Sequence, residues 1–212
     1  SRKLKVIGVT GTNGKSTVVH MLTSIFEEAG KKVVSVSSLR LKVGTHEVKD
    51  ALKRTMPGRF VVQKLLRRGV DDGCEYAVLE VTSEGIKQKR HLGVAFDCAV
   101  FVNLHKEHIE SHSSFENYYK AKQELFKITK NIHVLNGDDP NVELFSSFSS
   151  NKTIFFGVKV GNIRAGNIRL EKGRTLFDVY GNEFIINLSG EFNVLNSLAA
   201  LATGAMYGID LV

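Results

Sequence analysis

The chain has 212 residues, enough for one well-buried core with small decorations, and its 42% hydrophobic and 24% charged residues are those of an ordinary globular protein. No apolar stretch approaches the ~20 residues a membrane-spanning helix needs, and no signal-peptide pattern opens the chain, so a cytoplasmic protein with no membrane partner is expected. The net charge of +7, from 29 Lys and Arg against 22 Asp and Glu, suits phosphate-bearing ligands; the basic run KQKRH (87–91) lacks the interleaved aromatics of a single-strand binder, so nucleic acid is not the expected partner.

In chain order, LKVIGVT (4–10) is a short β-branched run and predicts a buried strand. Val18, Leu22, Ile25 and Ala29 then recur at helical spacing, with Gly30 as the stop, and KVVSVSS (32–38) reads as the next strand. That order predicts a parallel pair joined by a right-handed crossover. RFVVQKLLRRG (59–69) predicts a helix ending at Gly69, and EYAVLEV (75–81) and AFDCAVFVNL (95–104) predict buried strands holding the two cysteines' neighbourhoods. Cys74 and Cys98 themselves have neither metal-type spacing nor a disulfide framework, as in a reduced protein. SSFENYYKAKQELFKIT (113–129) predicts a helix opened by a serine cap. IHVLN (132–136) and KTIFF (152–156) read as strands around a short helix in DPNVELFSSF. From 162 to 188, Gly and Asn turns separate alternating runs, the pattern of a small antiparallel meander. A last helix, about 191–207, is expected to carry Phe192, Leu195, Leu198, Ala199 and Ala202 on one face. The expected fold is α/β: a mostly parallel sheet flanked by helices, with a phosphate-binding loop and the small meander.

GVTGTNGKST (8–17) sits between the first strand and the first helix. The broad phosphate-loop pattern G-x-x-x-x-G-K-[ST] is met at Gly14, Lys15 and Ser16, but its first glycine falls on Val9. The physics still holds. Glycines let backbone N–H groups close on an anion, and the helix start adds partial positive charge. Lys15 can reach outer phosphates and Ser16 can offer a hydroxyl to Mg²⁺. A second cluster follows two later strands: Glu80 in LEVTSEG (79–85), and His105, His108 and His112 in NLHKEHIESH (103–112). Ligands gather at the carboxyl ends of parallel strands, so these groups and the loop are expected to share one sheet edge, with Mg²⁺ favoured over zinc because no cysteine is near.

Four separated segments, GTNGKST (11–17), LEVTSEGIKQKR (79–90), FVNLHKEHIESHSSFENYYKAKQELF (101–126) and LSGEFNVLNSLAALA (188–202), supported by LNGDDPN (135–141), resemble the central ATP-binding domain of the Mur ligases. Within that family of peptidoglycan-precursor enzymes, the likeness is to members that add the third residue, extending UDP-N-acetylmuramoyl-dipeptide. The resemblance implies that Gly11, Thr12, Asn13, Gly14, Lys15, Ser16 and Thr17 hold the ATP triphosphate. It implies that Ser16 and Glu80 serve one Mg²⁺, and that Glu80, His108 and a carbamylated Lys122 serve a second. Asn193 and Asn196 match adenine-side asparagines; Thr55 and Met56 match a loop touching the UDP-sugar; Thr82, Gln88 and Arg90 match positions contacting its sugar-peptide part. Lys15, Glu80, His108 and Lys122 would be the catalytic set. The reaction implied is attack of a substrate carboxylate on the γ-phosphate of ATP, then displacement of phosphate by an incoming amino acid.

Three departures stand out: Glu84 where the family usually has His, Glu107 where it usually has Asp, and Ser16 where it often has Thr. The resemblance also implies that residues 1–212 are a single central domain, monomeric, without the flanking UDP-sugar and amino-acid domains. The alternatives are a folylpolyglutamate or poly-glutamate type ligase of the same superfamily, and a non-catalytic ATP-binding module.

Overall fold

The computed structural model describes residues 3–47, 56–105 and 114–210. Its nine-stranded sheet is built from β1 (Lys5–Thr10), β2 (Val33–Val36), β3 (Leu41–Val43), β4 (His46–Glu47), β5 (Tyr76–Glu80), β6 (Phe96–Phe101), β7 (Ile132–Asn136), β8 (Lys152–Gly157) and β9 (Ile163–Arg164). The spatial order is β4-β3-β2-β5-β1-β6-β7-β8-β9, with parallel pairing except at one edge, where β2–β3 and β3–β4 are antiparallel. From β1 the chain runs by the helix Lys15–Glu28 to β2 on one side, and the later β5→β6 connection crosses to the other side of β1. The direction of winding reverses there, the place where a crevice opens at the carboxyl ends of the strands.

Helices cover both faces. α1 (Lys15–Glu28) and α6 (Glu191–Met206) lie on one; α2 (Arg59–Asp71), α3 (Ser83–Lys87), α4 (Phe115–Ile128) and α5 (Glu143–Ser146) lie on the other. This explains why β1 reads as a continuous apolar run. Val6 belongs to the core under α2–α5, whereas Ile7 and Val9 belong to the core under α1 and α6, and all three are fully buried. A second sheet, β10 (Gly166–Glu171), β11 (Arg174–Val179) and β12 (Asn182–Ile186), is antiparallel and adds Phe177 and Val179 to the α1–α6 core. Among the described residues no helix is long and apolar enough to cross a membrane.

Most expected elements stand close to their expected bounds, including the serine cap: Ser114 Oγ accepts from Asn117 N at 3.1 Å. Four details differ. Residues 163–164 extend the large sheet beside β8, so the meander begins at Gly166. The β3–β4 hairpin and the five-residue α3 are too short to carry a periodicity of their own. Phe192 is 66% exposed and does not join the buried face of α6, whose residues from Asn193 to Gly204 are almost all enclosed by α1, the large sheet and β11. Finally, Gly69 does not end α2, which continues to Asp71.

Gly69 is instead a packing position. A Cβ there would lie 2.2 Å from Val34 Cγ2, a methyl of a stiff, fully buried side chain. Gly69→Ala would gain up to about 1 kcal/mol of helix propensity and lose about 1–3 kcal/mol to overpacking. A net loss of stability is therefore expected in urea unfolding; a gain would show that α2 and β2 separate freely.

Candidate nucleotide site

The first-strand loop runs from Thr10 to the start of α1 across the carboxyl edge of the sheet. Gly14 caps α1 with φ 80°, a conformation that favours glycine, and no side chain caps the helix or places an acid in its first turn. A Cβ on Gly14 would also fall 2.2 Å from Asn196 Oδ1, so the loop and α6 meet there without room for a side chain. Asn196 Nδ2 donates to Asn193 Oδ1 (3.1 Å), and Asn193 Nδ2 to Ser189 O (2.9 Å). Both expected asparagines thus stand beside the loop.

The loop is braced from β6. Asn103 Oδ1 accepts from Thr12 N (3.0 Å) and Asn13 N (2.9 Å), and its Nδ2 donates to Asn13 O (3.1 Å). Two loop amides therefore serve the scaffold, which leaves the glycine-capped start of α1 as the anion-facing surface. Thr12 Oγ1 accepts from His105 N (2.9 Å) and from the Tyr118 hydroxyl (3.1 Å) of α4. Thr17, in the first turn of α1, is half-buried.

Glu80 closes β5 with 2% exposure. Its Oε2 accepts from Ser16 Oγ (2.7 Å) and from Ser38 N (3.0 Å), while Ser38 Oγ lies 2.7 Å from Ser16 Oγ. Lys15 Nζ stands 4.0 Å from Glu80 Oε1 and donates to Thr12 O (2.7 Å). Lys122 comes from the far face through α4. It is 2% exposed, donates to Gly11 O (2.7 Å), and its ammonium lies 4.5 Å from the centre of the Tyr118 ring. Burial, reinforced by the positive charge of Lys15 and partly opposed by Glu80, lowers its pKa from 10.5 to about 7. The structure thus draws Lys15, Ser16, Glu80 and Lys122 to one edge. A solvent-facing lysine is what the helix pattern around 122 alone would suggest, and burial overturns it.

Other expected site residues stand differently. Met56 is 1% exposed, its sulfur packed against Gly85, so its side chain packs in the core. Thr82 Oγ1 caps α3 through Gly85 N (2.9 Å). Arg90 is 8% exposed, its guanidinium held by the Met56 carbonyl and Gln88 Oε1, all neutral acceptors, with Gln88 in turn bonded to Glu84. Thr55, Glu107, His108 and His112 lie outside the described residues. Asn103 lies inside a segment that carries the family likeness but is given no role there, and Ser38 carries no motif; pairing between β1, β2, β5 and β6 brings both to the loop.

The sequence pattern of the family described as Mur ligase middle domain matches residues 9–204. The chain is 35% identical over 216 residues to the UDP-N-acetylmuramoyl-L-alanyl-D-glutamate--2,6-diaminopimelate ligase 1 of Clostridium acetobutylicum, covering 100% of this chain and 44% of the relative. It is 37% identical over 214 residues to the like-named ligase of Clostridium tetani, covering 99% and 44%. Among solved structures, a UDP-N-acetylmuramoyl-L-alanyl-D-glutamate--2,6-diaminopimelate ligase superimposes with a TM-score of 0.86 at 24% identity, over 98% of this chain and 44% of that one. A MurF ligase from Thermotoga maritima in complex with ADP gives 0.68 at 21% identity, over 99% and 47%. These two likenesses bear on the fold, and the chain spans less than half the length of the relatives it matches. With a family match over most of its length and relatives above 30% identity, the chain belongs to the Mur ligase family, in the part described as its middle domain.

Proposed function

We propose that residues 1–212 are the central ATP-binding domain of an ATP-dependent ligase that adds an amino acid to UDP-N-acetylmuramoyl-dipeptide in peptidoglycan precursor synthesis. The observation that carries this reading is the convergence of Lys15, Ser16, Glu80 and Lys122 on a glycine-capped helix start. The names of the relatives supply the substrate class, and they favour it over a folylpolyglutamate-type acceptor; diaminopimelate is the first amino acid to offer. The protein would work as a cytoplasmic monomer joined to its substrate-binding partner domains.

In this reading Gly11–Thr17 receives the triphosphate, and Asn193 and Asn196 border the adenine. The chemistry has two steps. A carboxylate oxygen of the muramoyl peptide attacks the γ-phosphorus, the bond to the bridging oxygen breaks, and ADP leaves. The amine nitrogen of the amino acid then attacks the acyl carbon of the acyl phosphate, inorganic phosphate departs, and the nitrogen loses a proton. Two anions must meet in the first step, so alignment and charge neutralisation dominate the catalysis. Lys15 offsets charge on the outer phosphates from a site mostly withdrawn from water, where its field acts strongly.

The donors present fit Mg²⁺: a buried carboxylate with the Ser16 hydroxyl on one of its oxygens and Ser38 beside it is an all-oxygen set, to which phosphate oxygens and water would add. Ser16 and Glu80 would hold one ion; Glu80, His108 and carbamylated Lys122 a second. Bound Mg²⁺ supplies neutralisation of phosphate charge. Lys122 suits carbamylation because a pKa near 7 leaves much of its amine neutral and nucleophilic at physiological pH. Arg90, whose acceptors among the described residues are neutral, is the group best placed to gain from an anionic portion of the muramoyl substrate, with Thr55, Met56, Thr82 and Gln88 as the further contacts that the family resemblance implies.

Acceptor-dependent release of ADP, measured on the domain joined to its flanking domains, tests the ligase reading against a non-catalytic ATP-binding module. Lys15→Ala should lower that rate by at least ~10²-fold. Wild-type turnover in this variant would remove Lys15 from the mechanism, and release independent of any acceptor would remove the ligase reading.

Lys122 also makes stability depend on pH in carbon-dioxide-free buffer. Folded, it loses its proton at about 7; unfolded, at 10.5. Between those values the unfolded chain binds the extra proton, so stability rises with pH. Below about 7 both states are protonated and the full cost of the buried ammonium remains. Lys122→Met should therefore raise the melting temperature more at pH 7 than at pH 9, and an equal gain at both values would contradict a buried amine of lowered pKa.

A further inference from the structure

Thr10, the last residue of β1, is fully buried, and its Oγ1 is one of four buried side-chain polar atoms without a hydrogen-bond partner among the described residues. The other three are nitrogens of Arg40, His91 and His133, and each of those side chains is bonded through another atom. Thr10 alone among these has a side chain with no hydrogen bond at all. A buried hydroxyl left in that state is costly, and its O–H is satisfied only by an acceptor.

Strand register fixes where the hydroxyl points. Thr10 pairs with Phe101 on β6, and Val9 with Glu80 on β5, which puts Thr10 level with Val81. Phe101 and Val81 both belong to the core under α2–α5, so Thr10 faces α4. Two residues earlier on the same face, a Cβ on Gly8 would meet Leu125 Cδ1 at 2.8 Å. α4 runs against β1: Leu125 stands over Gly8, Lys122 reaches Gly11 O, and Tyr118 reaches Thr12 Oγ1. Lys122 and Thr10 therefore lie on the same face of the sheet, with Thr10 between Gly8, under Leu125, and Gly11, which Lys122 reaches. An ammonium there offers only donors. Carbon dioxide added to the neutral amine would form a C–N bond as one of its C=O π bonds opens, send one Nζ proton to solvent base and leave a single negative charge shared by two oxygens that accept.

We propose that Thr10 is a positioning residue whose Oγ1 donates a hydrogen bond to a carbamate oxygen on Lys122, holding the group in the orientation that faces the loop edge shared with Glu80. The proposal rests on the reading of Lys122 as carbamylated. It gives the orphaned hydroxyl its acceptor, and gives the carbamate a donor from the one strand that the phosphate loop itself continues.

The test uses the 212-residue chain in ¹³C-labelled bicarbonate, following the carbamate carbon by NMR, with Lys122→Ala to assign the signal. Wild type and Thr10→Ser should show it. Thr10→Val, nearly isosteric, should need about tenfold more bicarbonate for half-intensity, in line with loss of a hydrogen bond to a charged group, while its melting curve shows it folded. Should Thr10→Val not fold, Thr10→Ala makes the same comparison. An unchanged bicarbonate dependence without the hydroxyl, or a Thr10→Ser variant as impaired as Thr10→Val, would overturn the Thr10 role alone. No signal in wild type would overturn the carbamylated Lys122 and the Thr10 role together.

Discussion

Two lysines and one carboxylate, all largely withdrawn from water, meet at the carboxyl ends of adjacent parallel strands, and the architecture is arranged around that set. Glu80 is nearly sealed from water and faces Lys15 at 4.0 Å, while Lys122 is buried on the other side of the loop. Charges so placed cannot be shielded by solvent, so each must be held by named partners or change its protonation. Ser16 and Ser38 hold the carboxylate; the loop carbonyls of Thr12 and Gly11 hold the two lysines. Lys15 is the cation this arrangement keeps for a triphosphate, because burial draws Lys122 toward its neutral amine.

The fold provides this by sending elements from both helical layers to a single loop. α1 brings Lys15 and Ser16 from one face, α4 brings Lys122 and Tyr118 from the other, and α6 sets Asn196 against Gly14. Close approach is possible because particular side chains are missing. Gly14 lets α6 touch the loop, and Gly8 lets Leu125 settle on β1, which sets the height at which Lys122 leaves α4. Packing on β1 and chemistry at its end are thus one constraint, since a shift of α4 along the strand would carry Lys122 away from Gly11.

Rigidity of the loop has its own source. Asn103 spends its side-chain amide on Thr12 and Asn13, and Thr12 in turn ties His105 and Tyr118 to the loop. A preorganised loop of this kind stabilises charge without rearranging when charge develops, the property on which phosphoryl transfer depends most. Arg90 shows the same economy: its fork is already fixed by Gln88 and Met56.

The sequence by itself determined the α/β class, most of the strands and helices, and the phosphate loop, because each rests on local periodicity or on a motif contiguous in the chain. It also carried the four separated segments by which the family is legible, and Glu80 at a strand end. Only the tertiary structure decided that Lys122 is buried and not solvent-facing, that Met56 is core, that Phe192 is exposed on an otherwise enclosed helix, and that Asn103 and Ser38 belong to the site. The physical reason is sequence distance. Asn103 and the loop are 90 residues apart, Lys122 and Gly11 are 111 apart, and contacts of that span are set by strand register and helix height. Those are properties of the assembled sheet, and no local pattern of residues encodes them.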